Sequence, residues 1–205
     1  MNRDHIFAHR GLWRSKNEQN SKDSFLRAFE SGFSVETDLR QDSGKIVVSH
    51  NSVDFDVMNA DELLDFDGRF ALNLKSDGLI EYAVRTRKWL SETQSFYFDS
   101  SVPEQYKFLQ NDIPTADRLS EFEKTLNFDS KWVWVDSFKS DWWDRDSQIH
   151  NLLGDNSKLL IFVSPELHGR NHENAWLRFG QLSREGFMFG ICTDHPEALS
   201  TTLGI

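Results

Sequence analysis

The sequence predicts an α/β fold, a small (β/α)8 barrel of the TIM type with room only for shortened helices. Three observations predict it. Short apolar runs alternate with segments of helical spacing, about eight such runs can be found, and nearly every run ends in a polar or ionisable residue. A doubly wound open sheet is the competing arrangement. Strands are expected at His5–His9, Ser34–Leu39, Lys45–His50, Arg69–Leu74, Ser95–Phe98, Trp132–Val135, Leu159–Val163 and Phe187–Cys192. Ser21 or Asp23 can cap a helix that runs through Phe25, Ala28 and Phe29 and stops at Gly32. Leu79 to Leu90, Leu119 to Leu126 and Asn174 to Arg184 repeat apolar residues at three- and four-residue intervals and are read as helices.

The 205 residues suffice for one domain, 1–205, with a real core. Phenylalanine (17 residues) and tryptophan (7) supply much of its bulk. No linker, low-complexity tract or repeat interrupts the chain. Cys192 is the only cysteine, so an internal disulfide is excluded. The N-terminal residues lack the apolar run of a secretory signal, and no stretch approaches the roughly 20 apolar residues of a membrane span. A cytoplasmic location is therefore expected. The formal net charge of −10 argues against a nucleic-acid partner. It leaves an anionic small substrate open, because a bound cation reverses the local field around carboxylates. Oligomeric state is not legible.

The expected strand ends carry His9 and Arg10, Glu36 and Asp38, His50, Asn73 and Lys75, Asp99, Asp136, Glu166 and His168, and Thr193-Asp194. Strand alternation puts Glu36 and Asp38 on one face, where two carboxylates repel unless a cation or strong donors lie between them. Their oxygens suit a hard divalent ion, Mg²⁺ or Ca²⁺. His9 and His50 can then act as general base and acid, with Arg10 and Lys75 holding phosphate oxygens. These are the parts of metal-assisted phosphodiester cleavage. Trp142, in an expected loop over the pocket, and the Glu166–His168 loop are candidate substrate contacts. His5, His150, His172 and His195 have no nameable partner.

At these residues the chain resembles the glycerophosphodiester phosphodiesterase family of phospholipase-C-like barrels. His9-Arg10-Gly11 resembles the first family motif, and Asn20-Ser21 through Phe25-Leu26-Arg27-Ala28-Phe29 resembles the Asn-Thr and helix that follow it. Glu36-Thr37-Asp38-Leu39, the Asp42-Ser43-Gly44 turn and Val47-Val48-Ser49-His50 resemble the metal and second-histidine block. Gly190-Ile191-Cys192-Thr193-Asp194-His195-Pro196 resembles the closing strand and its Thr-Asp-x-Pro turn. The resemblance implies a metal-dependent phosphodiester hydrolase acting on a small-molecule, lipid or glycan phosphodiester, with a place in lipid metabolism. The alternatives are a lyase that stops at a cyclic phosphate, a catalytically weakened barrel that binds a phosphorylated ligand, and an unrelated metal-dependent hydrolase.

The departures matter as much. The family carries Glu-x-Lys on its next strand, with the Glu as third metal ligand. Here the segment is Asn73-Leu74-Lys75, and Asn73 offers a neutral carbonyl oxygen instead. Asn51 follows His50 where the family has Asp. Only 22 residues, 51–72, separate His50 from Asn73, too few for the family's substrate-covering subdomain. The stretch from about Asp77 to Lys158 matches weakly, and Val163-Ser164-Pro165-Glu166-Leu167-His168-Gly169 is unlike the family's seventh strand.

Overall fold

The computed structural model describes residues 1–51 and 57–205. Its strands are β1 (Ile6–His9), β2 (Ser34–Asp42), β3 (Lys45–Val48), β4 (Phe70–Leu74), β5 (Phe96–Phe98), β6 (Ala116–Leu119), β7 (Trp132–Val135), β8 (Leu159–Val163) and β9 (Gly190–Thr193). Eight of them run parallel in the order β5-β4-β2-β1-β9-β8-β7-β6. The ring closes between β5 and β6 through a parallel bridge of Tyr97 with Thr115, where the Tyr97 N–H donates to the Pro114 carbonyl at 3.0 Å. The result is an α/β barrel of the TIM type.

Among the described residues, six helices surround it: α1 (Lys22–Glu30), α2 (Ile80–Thr93), α3 (Val102–Gln110), α4 (Ser147–Leu153), α5 (Glu173–Arg184) and α6 (Pro196–Leu203). Their starts follow local chemistry. Ser21 Oγ accepts the Ser24 N–H at the head of α1, Ser101 Oγ accepts the Glu104 N–H at α3, and the Asp146 carboxylate caps α4 through Gln148 N. Two outer positions lack a helix among the described residues. After β2 the chain makes the β3 hairpin and a 3-10 turn at Ala60–Asp65, and after β6 it runs as a loop to β7.

The expected strand count is right for a reason the sequence hid. Lys45–Val48 is not a barrel stave; it pairs antiparallel with β2, Leu39 against Val48 through Asp42 against Lys45. The missing stave is β6, which the helical reading of Leu119–Leu126 displaced; no helix forms there. Ala116-Asp117-Arg118-Leu119 carries a charge on each face, which masks its alternation. Asp117 accepts Gln105 Nε2 at 3.1 Å and the Phe128 N–H at 2.7 Å, while Arg118 reaches Asp99 at 2.8 Å. The last expected strand also starts later, at Gly190 rather than Phe187.

Alternation divides the core into two shells. Ile6, Ala8, Val35, Leu72, Val133, Val135, Leu160, Phe162 and Ile191 join the cluster that holds the buried faces of the helices. Phe7, Ala71, Phe96, Phe98, Trp132, Trp134, Ile161, Val163 and Cys192 fill the barrel interior. Phe96 stacks on Trp132 with centroids 4.5 Å apart, and Phe98 on Trp134 at 3.9 Å. Gly190 keeps this interior closed, since a Cβ there would press on Ile161, Phe7 and the His5 carbonyl. Trp132→Ala should therefore lower unfolding free energy by about 3–5 kcal/mol, the usual cost of truncating a buried aromatic. Urea melts of the two proteins check this, and an unshifted midpoint would contradict the packing described.

Candidate active site

A cavity of about 340 Å³ opens at the C-terminal ends of the staves, floored by Phe98, Trp134 and Cys192. His9, Arg10, Glu36, Asp38, His50, Asn73, Lys75 and His168 all line it, together with Asp99, Arg118, Asp136, Phe138 and Leu167. Parallel register explains the convergence: His9 lies beside Glu36, and Asp38 beside Asn73. After His9 the chain turns sharply through two left-handed residues, Arg10 (φ 58°) and Gly11 (φ 87°). A side chain on Gly11 would collide with Ser24 and Phe25 of α1, which gives the glycine a physical cause.

The two carboxylates of β2 are buried and differently treated. Asp38 forms ion pairs with Arg10 Nε at 3.0 Å and Lys75 Nζ at 3.2 Å and accepts a hydrogen bond from Asn20 Nδ2 at 2.9 Å. Asn20 is fixed in turn by the Thr37 hydroxyl at 2.8 Å. Burial works against the charge on Asp38, but Lys75 and Arg10 outweigh it and hold the carboxyl below the usual range. Glu36 has no such escort. Burial, reinforced by the charge on Asp38, pushes it up to about 7.

His9 is held at Nδ1 and faces Glu36 with Nε2. Nδ1 lies 2.6 Å from Asp194 Oδ1, and Nε2 lies 3.9 Å from Glu36 Oε2. Burial lowers its basicity, yet the Asp194 hydrogen bond and the Glu36 charge outweigh burial and raise its pKa. His50, exposed at the end of the β3 hairpin, pairs Nδ1 with Asn51 Oδ1 at 2.9 Å. Asn73 is buried, and among the described residues its Oδ1 has no hydrogen-bond partner. Among the described residues no group of three or more His, Cys, Asp and Glu side chains is arranged as a metal cluster. Glu36, Asp38 and Asn73 bring oxygen donors to one wall of the cavity, and Asp99 and Asp136 bring them to the other.

The opposite wall holds three residues named at expected strand ends, Asp99, Asp136 and His168, and others that sequence reasoning missed. His168 Nε2 lies 2.6 Å from Asp136 Oδ1, and its ring packs on Phe138 at 4.6 Å. Arg118 links Asp99 to Glu123. Burial raises the Asp99 pKa, with Arg118 and Lys75 opposing it. Arg118 was missed because β6 was not recognised; a stave with alternating charges was the available signal.

Two expected contacts lie elsewhere. Glu166 does not line the cavity; it sits behind the Thr193-Asp194 turn, accepting from the Ser164 and Thr193 hydroxyls and from Asp194 N at 3.3 Å. Trp142 donates Nε1 to the Asp136 carbonyl at 2.7 Å and carries Lys124 Nζ 3.6 Å over its ring, away from the cavity lining. Trp143 is buried and stacked on Phe179.

No protein-family model matches the sequence, and no curated protein matches it. Solved structures do match in shape. One is of a candidate glycerophosphodiester phosphodiesterase from Galdieria sulphuraria, 17% identical, TM-score 0.73, covering 98% of this chain and 97% of that one. Another is a glycerophosphodiester phosphodiesterase from Agrobacterium tumefaciens, 14% identical, TM-score 0.71, covering 100% of both chains. The chain shares their fold from end to end. Among the described residues no helix is long and apolar enough to cross a membrane.

Asp194→Asn should lower the His9 pKa, because the carboxylate stabilises the charged ring. A group with a raised folded pKa stabilises most below its unfolded value, about 6.5 for histidine, and that stabilisation fades as pH rises through the folded pKa. The stability gap between wild type and Asp194→Asn should thus be widest near pH 6 and narrow at higher pH. Ring-proton NMR titration and urea melts at several pH values check both; an unmoved His9 pKa would remove Asp194 from this role.

Proposed function

We propose that this chain is a phosphodiester hydrolase, a divergent relative of the glycerophosphodiester phosphodiesterases. The observation that carries the reading is the seating of His9. Its Nδ1 is engaged by Asp194, and its Nε2 is turned to a cavity wall that also bears Glu36, Arg10 and Lys75. The fold shared with the two solved structures, and the ordered motifs, support it.

In this reading Arg10 and Lys75 bind the non-bridging phosphate oxygens from the side of Asp38, which keeps both cations in place. Neutral His9 accepts the proton of the attacking hydroxyl on Nε2, and Asp194 stabilises the imidazolium that forms. His50, reaching in from the β3 hairpin, gives its proton to the leaving alkoxide as the P–O bond breaks. Attack by water yields a phosphomonoester and an alcohol. Attack by a hydroxyl beside the phosphate yields a cyclic phosphate and the same alcohol. The location we propose is cytoplasmic, and the broad substrate class is a small-molecule, lipid or glycan phosphodiester.

Glu36, Asp38 and Asn73 would hold a divalent cation, Mg²⁺ or Ca²⁺. The fit rests on the buried Asn73 Oδ1, which has no hydrogen-bond partner among the described residues, and on a buried Glu36 carboxyl that no side-chain cation contacts as closely as Arg10 and Lys75 contact Asp38. Such an ion supplies neutralisation of the phosphate and of charge developing in the transition state. A second reading, a barrel that binds a phosphorylated ligand without turnover, is favoured by one observation: the third ligand position is the neutral Asn73.

Purified protein should lose diesterase activity in EDTA and regain it with Mg²⁺, Mn²⁺ or Ca²⁺. Asn73→Glu should tighten binding of the ion in calorimetry. Full activity without metal, or unchanged affinity in the variant, would refute the ligand set. His9→Ala and His50→Ala should each lower kcat on an unactivated diester by about 10²–10⁴-fold while the circular dichroism spectrum is retained. Near-full kcat in either variant would end its assigned role. A wild-type protein that binds phosphate but turns over no diester would favour the binding reading.

A further inference from the structure

The cavity is polar in its depths, but one part of its rim is not. Phe138 lines the cavity and is 39% exposed; beside it Phe122 is 65% exposed, with ring centroids 5.9 Å apart. Phe138 also packs on His168 at 4.6 Å. His168, Phe138 and Phe122 thus form a file of three rings leading from the cavity wall to solvent. Leu167 adds a further apolar lining group.

Scattered exposed apolar residues are ordinary, whereas a contiguous apolar strip that begins inside a polar pocket is informative. This strip is also braced. The Glu121 carboxylate accepts the N–H groups of Phe138 at 3.1 Å, Lys139 at 2.8 Å and Ser140 at 3.0 Å, tying the loop after β7 to the loop after β6. The Phe122 N–H is held by Ser120 Oγ at 3.2 Å. Lys139 Nζ stands 5.1 Å over the Phe122 ring. Both loops lie where a stave is followed by no helix of its own or by a 3-10 turn, and both rings keep a solvent-exposed face.

We propose that Phe138 and Phe122 form a track for an apolar substituent of the substrate, so that the preferred phosphodiester is an amphiphile with an alkyl or acyl chain. This rests on the hydrolase reading above. It deepens that reading by moving the aromatic contact from Trp142 to the Phe138–Phe122 pair. The phosphate would lie among Arg10, Lys75 and His9, and the chain would leave across His168 and over the two phenylalanines.

A series of p-nitrophenyl alkyl phosphates, methyl to octyl, kept below micelle formation, tests this. Full burial of a methylene multiplies affinity about fourfold, and an open track covers only part of each. The octyl-to-methyl ratio of kcat/KM should therefore be at least about tenfold in wild type. Phe122→Ser, a change at an exposed ring, should cut that ratio at least about threefold, and Phe122→Leu should restore most of it. A flat wild-type series, or a length dependence that survives Phe122→Ser, would overturn the proposal. If no member of the series is hydrolysed, attack by water is excluded for these diesters, and the track is read by calorimetry with octyl phosphate against ethyl phosphate. Tighter octyl binding that is lost in Phe122→Ser then upholds the track, and equal affinities overturn it.

Discussion

Closure of a parallel sheet forces alternate side chains of all its staves into one narrow space. Here that space is filled below by stacked rings, Phe96 on Trp132 and Phe98 on Trp134. The polar groups that share the same strand faces are thereby confined to the upper rim. Glu36 and Asp38 cannot turn away from each other, because they are two residues apart on one face of β2. The site's electrostatics follow from that constraint. One carboxylate is neutralised by Arg10 and Lys75 and accepts a hydrogen bond from Asn20; the other is left with burial against it and the His9 ring as its nearest ionisable neighbour of opposite sign. Two carboxyls of similar intrinsic acidity thus come to differ through environment alone.

Most of one cavity wall was legible in the sequence. His9, Arg10, Glu36, Asp38, His50, Asn73 and Lys75 lie at or near the ends of apolar runs, and the strand-end rule brings such positions to one face of a barrel. The far wall was legible at Asp99, Asp136 and His168 but not beyond them, for two physical reasons. Asp117 and Arg118 put charge on both faces of β6, so its period of two vanished. Trp142 and Glu166 lie in short 3-10 turns after strand ends, where no period dictates direction. Both turned to brace neighbouring backbone instead of facing the cavity. The strand count survived only because an antiparallel hairpin, β3, stood in for β6. Pairing direction is decided by the tight turn at Ser43-Gly44, both at positive φ, rather than by hydrophobic pattern.

The two outer positions without a helix have different effects. Between β2 and β4 the hairpin carries His50 outward to the rim, away from the rigid staves. Between β6 and β7 the loop leaves Phe122 in solvent and lets Glu121 reach three backbone amides of its neighbour. In each case a loop-borne residue at the rim depends on a hairpin or a carboxylate clamp for position, while the residues at the centre depend on the sheet.

The pairing of β1 with β9 has a consequence for the life of the chain. His9 and Asp194 are 185 residues apart, and their contact exists only when the last stave has docked beside the first. A growing polypeptide, or one cut anywhere ahead of residue 190, carries the histidine without its carboxylate. Such a fragment leaves the His9 ring without the carboxylate that orients it. The first and last staves act as two halves of a clasp, which closes only where β9 lies beside β1.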